Sequence, residues 1–545
     1  MFYVSAGYNP DTSPILSAVP DRMRGPHVER GLDNQGFNVQ EGLPLKLVDL
    51  LSALDPVQVL EAPDVTVTGI AADSRAVRPG DLFVCIPGAH VDAHQFIPDA
   101  LRRGAVAVVT QRPWAVPAGI GAAVVPDARL ALSALADRFY GHPSRALRMV
   151  GVTGTNGKTT TAFLVEAIAR TAGKAMGVIG TAGMMLGREV LEGKSGYTTP
   201  EPQTIHRLLA AMLQRGAWGA VMEVSSHALE QRRTDHCRFD VAVFTNLTHE
   251  HLDYHGDMEG YYAAKARLFR GLQPGAAAVV NIDDPYGRRL AEEIPAGVRT
   301  LTYGFSEGAD IRAEDVHLTG PGARYQLITP VGEADVEAPH LFGTYNVSNA
   351  MAAVGAGLAL GFSLQDAVAA LCTAKGAPGR FERIDEGQDF TVVVDYAHTP
   401  DGFEKLLSDV ARIKEPGSRV IMVFGSAGQR DPSKRPDMGR IAGEYCDVLV
   451  LTEEDPRTED AMEIARQIAS GVARDEVEIR LIEDRVEAIR EAIRMARTGD
   501  IVLITGKGQE TELEVQHPTT WRGDVVEAVD ALRDRAREEA RGVRA

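Results

Sequence analysis

Cysteine is scarce in this chain, and the four present, Cys85, Cys237, Cys372 and Cys446, lie far apart. No C-x-x-C pair occurs, so neither a disulfide framework nor a zinc-site spacing is suggested, and a reducing compartment suits the sequence. Long apolar runs are lacking as well. None approaches the ~18 residues that a membrane-spanning helix needs, and the first residues carry no charged-then-apolar leader pattern. A cytoplasmic protein without a membrane partner is expected. Basic residues are outnumbered: 57 Lys and Arg stand against 75 Asp and Glu, a formal net charge of −18. That balance argues against sequence-independent binding to nucleic acid. It leaves anionic small molecules open, because a local Lys/Arg cluster can sit on an acidic body.

What is present is ordinary globular material. The 545 residues suffice for about three domains, with 44% hydrophobic and 24% charged residues. Residues 1–44 are rich in Gly, Pro, Asn and Asp without sustained periodicity, and read as a poorly ordered extension.

The chain is organised around Met149-Val150-Gly151-Val152-Thr153-Gly154-Thr155-Asn156-Gly157-Lys158-Thr159-Thr160. An apolar segment, Leu147 to Val152, enters a glycine-rich turn, and an amphipathic run follows to Ala172. This is the order strand, phosphate loop, helix. Glycines let several backbone N–H groups converge on one anion, and the helix N-terminus adds partial positive charge. Lys158 would reach terminal phosphates and Thr159 would offer its hydroxyl to Mg²⁺. The spacing departs from G-x-x-x-x-G-K-[ST], since Val152 stands at the first glycine position, with Gly151 one residue early and Gly154 inside the loop.

Around this stretch the pattern is α/β with three domains. Residues 45–148 alternate short strands and helices, with strands at Leu82 to Ile86 and Ala105 to Val109 and a helix at Ala128 to Tyr140. The polar Asp73-Ser74-Arg75 is either a capped surface turn or an anion contact. Residues 149–376 give strands at Ala175 to Ile179, Ala217 to Val224, Val241 to Leu247 and Ala276 to Ile282, a mainly parallel sheet. Residues 377–545 form a second, Rossmann-like unit, with strands at Thr391 to Tyr396, Arg419 to Phe424, Val448 to Thr452 and Ile501 to Thr505 and a helix at Gly402 to Ile413. Ligands gather at the carboxyl ends of such strands. Glu223 and His251 follow strands of the phosphate-loop sheet, so one site can use them all. Glu223 can place a carboxylate on a metal that prefers oxygen ligands. His251 lies in the acidic, His-rich run from His249 to Asp257. Lys265 falls on a helix, where periodicity alone makes it a solvated lysine.

The combination of Thr153 to Thr160, Thr198-Thr199-Pro200, Glu223-Val224-Ser225-Ser226-His227, Asn246-Leu247-Thr248 with His251-Leu252-Asp253-Tyr254-His255, Asn346 with Asn349, Ala377-Pro378-Gly379-Arg380 and Asp395-Tyr396-Ala397-His398-Thr399-Pro400 resembles the Mur ligases, over roughly residues 60–515. Among them it is most similar to those that add the third residue of the peptidoglycan precursor. The resemblance implies an N-terminal domain for a UDP-linked substrate, a central ATP-binding domain and a C-terminal domain for the incoming amino acid. It implies ATP phosphate or nucleotide contacts from Gly154, Thr155, Asn156, Gly157, Lys158, Thr159, Thr160, Asn346, Arg380 and Asp395, with His398 close by. Two Mg²⁺ ions would be held by Thr159, Glu223, His251 and Lys265, the lysine as a carbamate. Ser74, Thr198, Thr199, Ser225, Gln231 and Arg233 match contacts to UDP-N-acetylmuramoyl-L-alanyl-D-glutamate. Arg430, Glu454, Asp455, Arg457, Gly506 and Glu510 match the amino-acid pocket. The implied reaction is phosphorylation of the substrate carboxylate by ATP, followed by attack of an amine on the acyl phosphate, with the chain working as a monomer on small molecules.

Two other readings compete. A folate polyglutamyl ligase has the same general architecture but should lack the N-terminal α/β domain. A nucleotide-switched binding protein would not need Lys265, Glu223, His251 and Asp395 together. The amino acid added is a question of charge. Family members using meso-diaminopimelate read Asp-Asn-Pro-Arg where this chain has Glu454-Asp455-Pro456-Arg457. Arg457 can pair with a distal carboxylate, whereas ionised Asp455 only accepts hydrogen bonds and would repel it. The acidic surroundings favour L-lysine or L-ornithine over meso-diaminopimelate, with Arg457 held by its neighbours.

Overall fold

Val150, Val152, Val221 and Val243 feed one hydrophobic core, while Met149, Met222, Ala242 and Phe244, their neighbours on the same strands, feed another. Strands covered on both faces read as continuous apolar runs, which is why the sequence announces them clearly. They belong to an eight-stranded sheet of order Glu189–Glu192, Gly183–Leu186, Met176–Gly180, Gly219–Glu223, Arg148–Thr153, Val241–Phe244, Ala277–Asn281 and Arg299–Tyr303. The last six strands pair in parallel, and the first two form an antiparallel hairpin on the edge. The computed structural model describes residues 42, 44–88, 92–187, 189–193, 197–319 and 322–542. The expectation for residues 1–44 falls outside the described residues except at 42 and 44.

A five-stranded sheet lies earlier in the chain, ordered Gln58–Glu61, Gly121–Val124, Ala107–Thr110, Asp81–Val84 and Gly69–Ala71, with only the Gln58–Glu61 edge antiparallel. A six-stranded sheet lies later, ordered Glu382–Ile384, Thr391–Asp395, Ile501–Thr505, Val420–Phe424, Val448–Leu451 and Glu478–Leu481. Its first strand alone is antiparallel. The α/β class and the strand–helix alternation are those expected. The sequence reading leaves out an antiparallel meander, Arg312–Leu318, Ala323–Thr329 and Gly332–Ala338. Only one face of it is apolar: Ala323, Tyr325, Leu327, Val336 and Ala338 are buried, while Glu314, Asp315, Arg324, Glu333 and Glu337 face outward. Charged residues at alternate positions hide such strands from a search for apolar runs.

Among the described residues no helix is long and apolar enough to cross a membrane.

The helices Ala128–Phe139 and Pro202–Gln214 pack together and bury a polar cluster. The fully buried His206 places Nδ1 3.6 Å from Asp137 Oδ1 and Nε2 3.9 Å from Cys237 Sγ. Burial pushes its imidazole down to about 4, against the pull of Asp137. The folded state therefore holds His206 neutral where the unfolded chain protonates it, and stability falls as pH drops from about 6.5 towards 4. The full span is worth about 3 kcal/mol. The melting-temperature advantage of wild type over His206→Leu is expected to shrink between pH 7 and pH 4.5. A constant difference across that range contradicts the assignment.

Candidate active site

Register places three functional segments side by side. Glu223 is aligned with Val152, and Phe244 with Thr153. The phosphate loop, Glu223 and the turn after Phe244 thus leave the carboxyl ends of three adjacent parallel strands. The following turn pins the loop: Thr155 N donates to Asn246 O (2.9 Å), Asn156 N to Asn246 Oδ1 (2.9 Å), and Thr245 Oγ1 to Asn156 O (2.6 Å). Gly154 has φ +150°, and a Cβ there would lie 1.8 Å from Thr245 Oγ1. Only glycine fits so close an approach, which explains the displaced glycine in the motif. The helix Lys158–Thr171 starts at Gly157, and its first turn buries Thr159 and Thr160.

Two lysines converge on this loop. Lys158 Nζ donates to Gly154 O (3.0 Å) and Thr155 O (2.8 Å), and Lys265 Nζ donates to the same Gly154 O at 2.7 Å. Lys265 is 1% exposed and sits 4.6 Å above the Tyr261 ring centroid. It is no solvated lysine. Burial, and then the charge of Lys158, hold its ammonium well below the usual lysine range, with Glu250 opposing. Burial also lowers Lys158, against Glu223 and Glu250.

Glu223 is buried and, among the described residues, takes hydrogen bonds from Thr159 Oγ1 (2.9 Å), Thr181 N (2.9 Å) and Thr181 Oγ1 (3.3 Å), all neutral donors. A carboxylate beside a threonine hydroxyl at a phosphate loop is a hard-oxygen donor set, and it fits Mg²⁺. His251, 45% exposed and with φ +58°, stacks edge-on to His227 at 4.9 Å between ring centroids.

Polar contacts radiate from Glu223 to the residues matched to the UDP-linked substrate. Thr181 Oγ1 donates to Thr198 Oγ1 (3.1 Å), Thr199 Oγ1 to Glu223 O (2.8 Å), and Ser225 N to Thr199 Oγ1 (2.9 Å). Arg233 donates to Thr199 O (2.7 Å) and Gln231 Oε1 (2.8 Å). Five of the six residues thus form one connected group. Ser74 lies on the five-stranded sheet's side, in the short turn Ser74–Ala76.

The six-stranded sheet brings its own groups to the loop. Asp401 Oδ2, in the helix Pro400–Ile413, accepts from Asn156 Nδ2 (3.1 Å) and Thr248 Oγ1 (3.4 Å). His398 Nδ1–H donates to Tyr396 O (2.8 Å), and burial and Lys434 lower its pKa. Asp395 accepts from Phe381 N (2.7 Å) and Ala397 N (2.8 Å); burial raises its pKa against Arg380. Arg380 stacks over Tyr396 at 4.2 Å. Asn346 Nδ2 donates to Phe342 O (2.8 Å) and accepts at Oδ1 from Asn349 Nδ2 (3.2 Å).

Between the two sheets stands Glu250, which the sequence reading leaves without a role. Its carboxylate lies 3.9 Å from His251 Nε2 and 3.8 Å from His398 Nε2. Burial pulls its carboxyl up, while His251, His398, Lys158 and Lys265 pull it down, and the cations prevail. Its place in the His-rich run was the available signal.

A second group lies beyond Lys434, whose Nζ donates to His398 O at 2.9 Å. Glu454 is buried with Oε2 unpartnered, and burial pushes its carboxyl up to about 7. Gly506 (φ +105°) must be glycine, since a Cβ would meet that oxygen at 2.0 Å. Glu510 Oε1 accepts from Tyr396 OH (2.8 Å). Gln429, Asp455 and Arg457 all have positive φ, +54°, +45° and +54°. Three strained non-glycine residues in one place make this turn a candidate functional segment. Arg430 is exposed in the adjoining loop.

A phosphate loop with a second buried lysine, and a further α/β unit reaching over it, define an ATP-dependent ligase that joins an acid to an amino acid. The chain belongs to the Mur ligase family. Models of the Mur ligase middle domain, of the glutamate ligase domain and of the family's catalytic domain match residues 152–357, 379–508 and 66–140. It is 45% identical over 473 residues to a UDP-N-acetylmuramoyl-L-alanyl-D-glutamate–2,6-diaminopimelate ligase of Geobacillus thermodenitrificans, covering 86% of this chain and 95% of that one. It is 46% identical over 485 residues to a UDP-N-acetylmuramyl-tripeptide synthetase of Roseiflexus sp., covering 86% and 94%. A solved structure of a UDP-N-acetylmuramoyl-L-alanyl-D-glutamate–2,6-diaminopimelate ligase superimposes with a TM-score of 0.65 at 33% identity, over 90% of this chain and 99% of that one.

The expected preference for L-lysine or L-ornithine finds no support in these relatives, and the turn supplies a physical reason. Asp455 is not a free anion. Lys507 Nζ donates to both its oxygens at 2.8 Å, and Glu514 N donates to Oδ1 at 2.9 Å. The repulsion argued from Asp455 ignored this lysine. Arg457 is held by Glu514, an acid 57 residues further on and not one of those expected beside it: Nε donates to Glu514 Oε2 at 2.7 Å.

Proposed function

We propose that this ligase adds meso-2,6-diaminopimelate to UDP-N-acetylmuramoyl-L-alanyl-D-glutamate, as the third residue of the peptidoglycan peptide, in the cytoplasm and as a monomer. The observation that carries the ligase chemistry is the convergence of Lys158 and Lys265 on Gly154 O. The choice of diaminopimelate rests on the relatives' names and on the engagement of Asp455 by Lys507.

In this reading the domains divide near residues 148 and 376. Gly154 to Thr160 cradle the ATP phosphates, with Lys158 on the terminal ones, while Asn346, Arg380 and Asp395 hold the rest of the nucleotide. Thr159, Glu223, His251 and Lys265 as a carbamate hold two Mg²⁺ ions, which would neutralise phosphate charge during transfer. Ser74, Thr198, Thr199, Ser225, Gln231 and Arg233 align the UDP-linked substrate so that its carboxylate attacks the γ-phosphoryl in line. The chain's part is positioning and charge neutralisation. His398 and Asp401, reaching the loop from the other sheet, help to exclude water while the acyl phosphate awaits the amine. Arg430, Glu454, Asp455, Arg457, Gly506 and Glu510 form the pocket for that amino acid.

The test is ADP release with each substrate omitted in turn, then with meso-diaminopimelate, L-lysine and L-ornithine compared. Turnover should require the UDP-linked substrate and an amino acid together. A charge-assisted pair to the distal carboxylate is worth about 1.5–3 kcal/mol, so kcat/KM should favour diaminopimelate by roughly 10- to 100-fold. Equal or better use of lysine contradicts the choice of amino acid; turnover without any amino acid contradicts the ligase reading.

A further inference from the structure

Lys507 follows the strand Ile501–Thr505 and is 2% exposed. Its ammonium is clamped between acids: both oxygens of Asp455 at 2.8 Å, and Glu510 Oε2 on the other side. Trp521 closes the site beneath, 5.7 Å from Nζ to the ring centroid. Lys507 holds no nucleotide contact in the reading above, and it lies in the second group, with Glu454, Asp455, Arg457 and Glu510.

The charges of that group decide what it accepts. Asp455 and Glu510 are two carboxylates that both contact Lys507, in the same group as Arg457, which would receive a distal carboxylate. Without a cation between them they present an anionic wall, which attracts a bare ammonium and repels a carboxylate. Lys507 offsets one of those two charges and occupies the lone pairs of Asp455, with Glu514 N taking a further one. It also ties the Asp455 turn, with its positive φ, to the segment that follows the strand Ile501–Thr505.

We propose that Lys507 is a specificity-determining residue: by offsetting one of the two charges of Asp455 and Glu510 it lets the pocket take an amino acid whose far end bears both a carboxylate and an ammonium, and removing it turns the pocket towards simple diamines. The proposal rests on the assignment of this pocket to the incoming amino acid. It is independent of which amino acid wild type prefers, because it concerns the change in preference.

The experiment measures kcat/KM for meso-diaminopimelate and for L-lysine, with full-length protein, ATP, Mg²⁺ and the UDP-linked dipeptide. Lys507→Met should lower the diaminopimelate-to-lysine ratio about tenfold or more, the size expected for leaving charged partners uncompensated. Adding Asp455→Asn to that variant should recover most of the ratio, since it returns the group to the net charge it has with Lys507 in place. Asp455→Asn alone should leave the ratio unchanged or raise it. A merely structural lysine predicts an equal loss for both amino acids with the ratio intact, and that result overturns the proposal. So does a double variant whose ratio stays as low as that of Lys507→Met. Should Lys507→Met lose all turnover, the ratio is read in the double variant and in Lys507→Arg; a fall in Lys507→Arg, which keeps the cation, overturns the proposal equally. A wild type that prefers lysine refutes the choice of diaminopimelate, while the direction of change in the variants still decides the role of Lys507.

Discussion

Lys265→Ala is expected to lower kcat by about a thousandfold or more, the scale on which a lost transition-state charge contact acts, and a small carboxylate such as formate should restore part of the activity. Lys265 is 1% exposed, bonded to Gly154 O at 2.7 Å and crowded by the charge of Lys158. A second cation here adds to the charge Lys158 already supplies, and burial makes it costly. The same surroundings favour the neutral amine, which is the form that attacks CO₂. On carbamylation the amine nitrogen would bond to the carbon and lose one proton, and the side chain would become a carbamate anion able to ligate Mg²⁺ among phosphates. Lys265→Arg keeps a cation that cannot be carbamylated, so it should be as inactive as the alanine variant, and formate should not rescue it. Depleting bicarbonate from the assay should slow wild type. Near-normal turnover by Lys265→Arg shows that the residue serves as an ordinary cation.

Residues whose chemistry is local were legible in the sequence. The phosphate loop is contiguous, and its strand is buried on both faces, so apolar run, glycines and Lys-Thr-Thr stand together. The neighbouring strands followed from the same logic, and Glu223 was found because it ends one of them. Lys265 looked solvated because periodicity reports a helix face but not what packs on it; only the family resemblance marked it. Glu250 went unassigned because one of its partners, His398, arrives from another sheet. Asp455 was read with the right charge and the wrong surroundings, since Lys507 lies 52 residues further on. In each of these cases the missing quantity was the electrostatic partner, which sequence separation conceals, and not the residue's own chemistry.

Lys158→Ala should abolish ligation, by about a thousandfold or more, while moving the melting temperature by only a few degrees, as expected for a change of about 1 kcal/mol. The two halves of that expectation come from the same geometry. Lys158 Nζ donates to Gly154 O and Thr155 O, carbonyls of its own loop. Gly154 O keeps Lys265 as a donor when Lys158 is gone. The loop itself is held by Thr245 and Asn246, through Thr155 N, Asn156 N and Asn156 O, and none of these contacts involves the lysine. The fold therefore loses little. Bound phosphates would lose the charge that Lys158 brings to the start of the helix Lys158–Thr171, where the backbone N–H groups and the helix terminus supply only partial charge. Lys158→Arg retains the charge but replaces the compact ammonium that donates to Gly154 O and Thr155 O with a longer planar fork. It should recover only a minor part of the activity. Thermal melts with and without ATP·Mg²⁺ complete the test: the nucleotide should raise the melting temperature of wild type clearly and that of Lys158→Ala little. A folded alanine variant that ligates at near-normal rate removes the loop lysine from the mechanism.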